Sequence, residues 1–183
     1  MKLLILRHGR AERVKDFGAL GKDDSLRPLT EEGRERLRLA VAGLHRLVRN
    51  IDVLATSPFL RTRQSADIVA VEYGLTHVVE LKQLQPGTAP EVLAEWLTDA
   101  GARETIAVVG HHMQLRQLAG WLLTGRAKPL LHIRKGGAVL LDLRTTAQRG
   151  PGQRRARVLW SLTPRQLRML GRSASGPETV TDV

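Results

Sequence analysis

Residues 1–9 read MKLLILRHG. Four apolar residues, Leu3 to Leu6, run without a break into a guanidinium and an imidazole, Arg7 and His8, and then a glycine. A half-buried strand alternates apolar and polar side chains. An unbroken run of this length is the pattern of a strand covered on both faces. It is too short for the apolar core of a signal peptide, and Arg7 and His8 interrupt it. The stretch therefore predicts a central buried strand that carries two reactive side chains at its carboxyl end.

Similar apolar runs follow at 52–56 (DVLAT), 77–81 (HVVEL), 105–110 (TIAVVG), 137–143 (GAVLLDL) and 156–162 (ARVLWSL). Helical patterns separate them. Residues 31–49 place Leu37, Ala40, Val41, Leu44, Leu47 and Val48 at helical spacing. Thr30 is placed to cap that helix, with Glu31 and Glu32 at its positive end. Ser57 and Pro58 read as the N-cap and first residue of a helix to about Tyr73. Stretches 90–100, 113–123 and 164–170 are further helices. Alternating strands and helices predict an α/β three-layer sandwich with a mostly parallel central sheet flanked by helices. The last two strands, joined by the Arg/Gly-rich turn 144–155, form an antiparallel hairpin at its edge. With 183 residues, one domain over 1–171 is expected, followed by a polar, disordered tail at 172–183.

The chain has no cysteine, which excludes disulfides and thiolate metal sites. No apolar run reaches the length of a membrane span, and a cytoplasmic location is expected. Lys plus Arg outnumber Asp plus Glu by 29 to 18, a formal charge of +11, which favours anionic partners. With aromatic residues at 3%, a stacking platform for single-stranded nucleic acid is disfavoured. No helix-turn-helix or zinc-finger pattern occurs either. A phosphorylated small molecule or protein is the better match to the charge.

Ligands of open α/β sheets sit beyond the carboxyl ends of the strands. Three such ends carry chemistry: Arg7-His8-Gly9, Ser57-Pro58-Phe59-Leu60-Arg61 and Gly110-His111-His112. Two guanidiniums can grip the oxygens of one phosphoryl group through directed hydrogen bonds. Two imidazoles can supply a nucleophile and a proton donor near neutral pH. His45, His77 and His132 lack such a setting and read as structural or surface residues.

LILRHG, SPFLRTRQSA and VVGHH together resemble the histidine phosphatase superfamily, whose fold is phosphoglycerate-mutase-like. DSLRPLTEEG (24–33), the short chain and KGGAVLLDL…VLWSLTPRQL resemble its SixA-type phosphohistidine phosphatases. The similarity extends from Met1 to about Leu170. It implies a covalent phosphohistidine intermediate on His8, with Arg7, Arg61 and His111 around the transferring phosphoryl group, no metal and no cofactor. The family's second histidine directly follows the small residue that ends its strand. That implies His111, with His112 as a cap, surface or pocket-wall residue.

Arg27 is read two ways: as a substrate-binding residue at the pocket, or as a loop-ordering residue tied to Asp24. Where mutase and acid-phosphatase relatives carry a proton-donating Glu, this chain aligns Gln83, which cannot donate as a carboxylic acid does. An alkoxide leaving group needs such a donor, whereas a phosphoramidate leaves as a neutral imidazole once its ring is protonated. The expected substrate is accordingly phosphohistidine in a protein. A small phosphorylated metabolite or nucleotide is the alternative within the class, and a phosphate- or nucleic-acid-binding module the alternative outside it. The short segments 9–30 and 82–104 imply an open pocket. Oligomeric state is not addressed by the sequence.

Overall fold

The computed structural model describes residues 1–99, 103–143 and 156–172. Six strands form one sheet: β1 (Lys2–Arg7), β2 (Val53–Thr56), β3 (Val79–Glu80), β4 (Thr105–Gly110), β5 (Ala138–Leu143) and β6 (Ala156–Leu162). Their order is β3-β2-β4-β1-β5-β6. β1, β2, β3 and β4 pair in parallel, while β5 runs against both its neighbours, β1 and β6. The sheet is mostly parallel with an antiparallel hairpin at one edge, as the sequence pattern predicts. The expected turn 144–155 lies outside the described residues.

The unbroken apolar run of β1 has a direct explanation. Successive side chains of a strand point to opposite faces. Leu4 and Leu6 enter one core cluster and Leu3 and Ile5 the other. The first cluster lies under α2 (Glu31–Leu47), α3 (Leu60–Tyr73) and α6 (Pro164–Arg172). The second lies under α4 (Pro90–Asp99) and α5 (His112–Thr124). A short helix, α1 (Val14–Gly18), and a 3₁₀ turn at Asp24–Leu26 occupy the segment 9–30 between β1 and α2. Among the described residues, no helix is long and apolar enough to cross a membrane.

Several boundaries move. The strand expected at 77–81 shrinks to Val79–Glu80, because only Ala55 and Thr56 of β2 pair with it before the chain tightens into a 3₁₀ turn at Lys82–Leu84. Arg172, expected to open the tail, closes α6; residues 173–183 lie outside the described part. Thr30 caps α2 as predicted, its Oγ1 accepting the Gly33 N–H at 3.0 Å. Ser57 does not cap α3. That helix starts at Leu60 behind Phe59, which makes no side-chain cap bond, and Ser57 is left fully buried and pointing elsewhere. α2 and α6 cross so closely that a Cβ on Gly43 would overlap the Leu167 carbonyl oxygen.

Candidate active site

Strand register builds the site. Arg7 of β1 pairs with Gly110 of β4, and Thr56 of β2 with Val109. The ladder extends one step further: the His8 N–H donates to Gly110 O and the Ser57 N–H to Val109 O, each at 3.2 Å. The next residues along β1 and β4 are His8 and His111, so their rings meet edge to face, 5.6 Å between centroids. Arg61 enters from the first turn of α3. An open cleft of about 720 Å³ lies over this rim, lined among others by Arg7, His8, Arg27, Arg61, His111 and His112. The five candidate site residues Arg7, His8, Arg27, Arg61 and His111 thus line one cavity.

Both rings lie at the floor, His8 5% and His111 6% exposed. His8 Nδ1 is 2.7 Å from the Gly9 carbonyl oxygen. A carbonyl only accepts, so Nδ1 carries the proton and Nε2 keeps its lone pair. Burial is the main force on this ring and lowers its pKa to about 3. The Gly9 hydrogen bond opposes that shift, and the charges of His111, Arg61 and Arg7 add to it. The imidazole is therefore neutral at physiological pH, the form a nucleophile needs.

His111 is held in the opposite tautomer. Arg61 Nη2 lies 3.3 Å from its Nδ1, and a guanidinium can only donate. The proton is then on Nε2, which donates to Ser57 Oγ at 2.9 Å. Burial first, and the Arg61 charge second, push this ring to about 3 as well, against the pull of Asp24. Phe59 packs edge-on against His111, ring centroids 4.9 Å apart, and lies under the Arg61 guanidinium.

Asp24 organises the arginines. Its carboxylate accepts Arg27 Nε at 2.7 Å and Arg61 Nη2 at 3.0 Å, and its carbonyl accepts Arg61 Nη1 at 2.7 Å. Partial burial raises the Asp24 pKa, but the hydrogen bond from Arg27 and the charges of Arg61 and Arg27 outweigh it and hold the carboxyl below its ordinary range. Arg27 also donates to the Glu12 carbonyl at 2.7 Å and is 7% exposed. Arg27 is thus tied to Asp24 and also forms part of the cleft wall. Arg7 donates from Nη1 to the Ile133 carbonyl at 3.0 Å. The Nε groups of Arg7 and Arg61 are buried with no acceptor. Uncommitted guanidinium N–H groups of this kind suit an oxyanion.

Three contributors escaped the sequence reading. Ser57 has the local pattern of a helix cap and instead accepts from His111. Ser65 accepts the Gly9 N–H at 3.1 Å and donates to the Arg61 carbonyl at 2.6 Å, fastening the turn after His8 to α3. Its position four residues after Arg61, on the same helix face, was the available signal. Asp24, by sequence a loop partner of Arg27, also binds Arg61. Gln83 is not among the cleft-lining residues; its carbonyl accepts Gln114 Nε2 at 2.6 Å. The carboxylates among the described lining residues are Glu12 and Asp24. Among the described residues, no three His, Asp or Glu side chains converge as a metal site.

Comparison with known proteins gives a consistent picture. The family model of the histidine phosphatase superfamily (branch 1) matches residues 3–85. An uncharacterized protein from Picosynechococcus sp. is 30% identical over 151 residues, 81% of this chain and 88% of that one. The structure of the protein histidine phosphatase SixA complexed with tungstate is similar with a TM-score of 0.75 at 23% identity, covering 91% of this chain and 99% of that chain. The alpha-ribazole phosphatase from Shigella flexneri follows with a TM-score of 0.66 at 17% identity, covering 87% and 96%. At these identities the structural matches establish the shared fold.

Proposed function

The chain belongs to the histidine phosphatase superfamily, and from that membership we propose a metal-independent phosphatase that works through a phosphohistidine on His8 and takes its phosphate from phosphohistidine in a protein. The observation that carries the reading is the His8 tautomer. The Gly9 carbonyl fixes the proton on Nδ1 and leaves a neutral, unprotonated Nε2 in a cleft that also holds Arg7, Arg61 and His111.

In the first step the Nε2 lone pair forms an N–P bond while the bond from phosphorus to the leaving group breaks. A substrate imidazole, protonated from solvent, departs neutral. Water then attacks phosphorus, the Nε2–P bond breaks with its electron pair returning to the ring, and inorganic phosphate leaves. Charge on the three equatorial oxygens is met by the Arg7 and Arg61 guanidiniums, with Arg27 at the wall, so positioning and electrostatics supply the rate. His111 is neutral, with its one N–H given to Ser57 and its Nδ1 accepting from Arg61, so it positions the Arg61 guanidinium beside the phosphoryl group.

Of the cleft's two carboxylates, Asp24 is the one paired with the arginines of the site. Asp24 is ionised and bound to two arginines, so it has no proton to give to an alkoxide. A phosphoramidate does not need that proton from the protein. The similarity of fold to a protein histidine phosphatase, SixA, supports the same reading.

The test is phosphate release by wild type and His8→Ala from a phosphohistidine protein and from an aryl phosphate, with trapping of labelled phosphate on the enzyme. Turnover and label should both disappear in the variant. Full activity of His8→Ala would end the proposal, and a strong wild-type preference for small phosphomonoesters would transfer it to a metabolite or nucleotide substrate.

A further inference from the structure

A second cavity, of about 320 Å³, adjoins the catalytic cleft. Six of its lining side chains are basic: Arg10, Arg36, Arg134, Lys135, Arg165 and Arg168. Arg10 and Lys135 line both cavities, so the two form one concave surface. The first two turns of α2, the segment before β5 and the start of α6 all contribute to it, so its shape is a product of tertiary packing.

Its charge is poorly compensated. Glu32 pairs with Arg10 at 2.7 Å and with Arg36 at 2.5 Å. Among the described residues, Arg134, Lys135, Arg165 and Arg168 have no carboxylate partner. Arg165, Arg168 and Arg172 recur at three- and four-residue spacing and lie along one stripe of α6, ~10 Å long, flanking the side on which Leu167 and Gly171 are buried. Burial, and then the charges of Arg36, Arg172 and Arg165, depress the Arg168 guanidinium, which reflects that crowding. Gathering like charges in a concavity opposes folding. A ligand of opposite charge relieves the repulsion.

We propose that this basic band, from Lys135 at the cleft through the second cavity to Arg172, is a docking surface for an acidic segment beside the phosphohistidine of a protein substrate. The inference rests on the phosphohistidine reading of the cleft and adds where the rest of that substrate sits. The length of the band favours an extended polyanion over a single phosphate, since it continues along α6 past the cavity. Nucleic acid fits less well, because no aromatic side chain is among the described residues that line the cavity to stack a base. Continuity through Arg10 and Lys135 lets one substrate place its phosphoryl group on the rim of the sheet and its carboxylates on α6.

Two measurements test it. In the first, an unphosphorylated, fluorescein-labelled Glu-rich peptide is titrated with wild type, Arg165→Glu/Arg168→Glu and Arg134→Glu, followed by anisotropy. Affinity should fall roughly tenfold or more in the double variant and with added salt. Arg134→Glu, a change in an exposed loop, gives the same reading if the helix variant melts early. In the second, phosphohistidine peptides with Glu or Ser flanks are compared in turnover. Wild type should show the lower KM for the Glu flank, the double variant should lose that preference, and aryl phosphate turnover should change less than about twofold.

Equal affinity of wild type and variants for the Glu peptide, or equal KM for the two flanks in wild type, overturns the docking surface. So does a single-stranded oligonucleotide that binds the band more tightly than the peptide. If phosphohistidine is not hydrolysed but the Glu peptide still depends on Arg165 and Arg168, the docking surface stands and the catalytic reading fails.

Discussion

Acidification should unfold this protein through its buried imidazoles. His8 and His111 are almost inaccessible and are held neutral, with pKa values pushed from an ordinary 6.5 down to about 3. Below pH 6.5 the unfolded chain binds a proton at each ring that the folded chain refuses. The unfolded state therefore gains, and stability falls as pH drops from 6.5 toward 3. For one ring the loss between pH 7 and pH 5 is about 2 kcal/mol, and it approaches about 5 kcal/mol once the pH is below both values. The two rings together should cost about 4 kcal/mol at pH 5, a large share of a typical domain's stability. Urea unfolding at pH 7 and pH 5 reads this directly. His8→Ala leaves a cavity and loses stability at both values, but its loss on acidification should be smaller than wild type's by about 2 kcal/mol. His111→Ala should behave alike. If His8→Ala and wild type lose the same amount between pH 7 and pH 5, the His8 ring is not held neutral by burial, and the case for an unprotonated Nε2 nucleophile loses its basis.

Other perturbations address the remaining contacts. Arg61→Ala removes the ion pair with Asp24 and the hydrogen bond to His111; kcat/KM for an aryl phosphate should fall by about 100-fold or more in steady-state assays. Ser57→Ala leaves the His111 Nε2–H without its acceptor. It should lower kcat by roughly tenfold, with the ¹⁵N shifts of the ring reporting a loosened tautomer. Gly43→Ala forces a Cβ into the Leu167 carbonyl and should destabilise by about 3 kcal/mol or more in urea melts, with little change in the activity of the fraction that stays folded. Thr30→Ala removes the α2 cap and should cost about 1 kcal/mol by the same measurement.

The parts legible in the sequence were those governed by local pattern. Leu3–Leu6 announced a strand buried on both faces because every residue in it is apolar, and both core clusters draw on it. Thr30 announced a cap because its side chain needs only the N–H three residues on. Ser57-Pro58 misled for the same reason. It has the local chemistry of a helix start, but His111, 54 residues away, claims the hydroxyl, and α3 begins three residues later. Val79–Glu80 is shorter than its apolar pattern because β2 offers an edge strand only two residues to pair with.

Residue types and their order along the chain therefore determined which side chains stand at strand ends, and with them Arg7, His8, Arg61 and His111. Tertiary structure decided what those side chains are. The parallel register of β1 and β4 sets His8 against His111. A carbonyl on one ring and a guanidinium on the other impose opposite tautomers, and burial by the surrounding elements strips both rings of their charge. Periodicity and local hydrogen bonding act over a few residues, so the chain order carries them. Proton position and charge depend on groups brought within a few ångströms from distant parts of the chain, and only the folded protein brings them there.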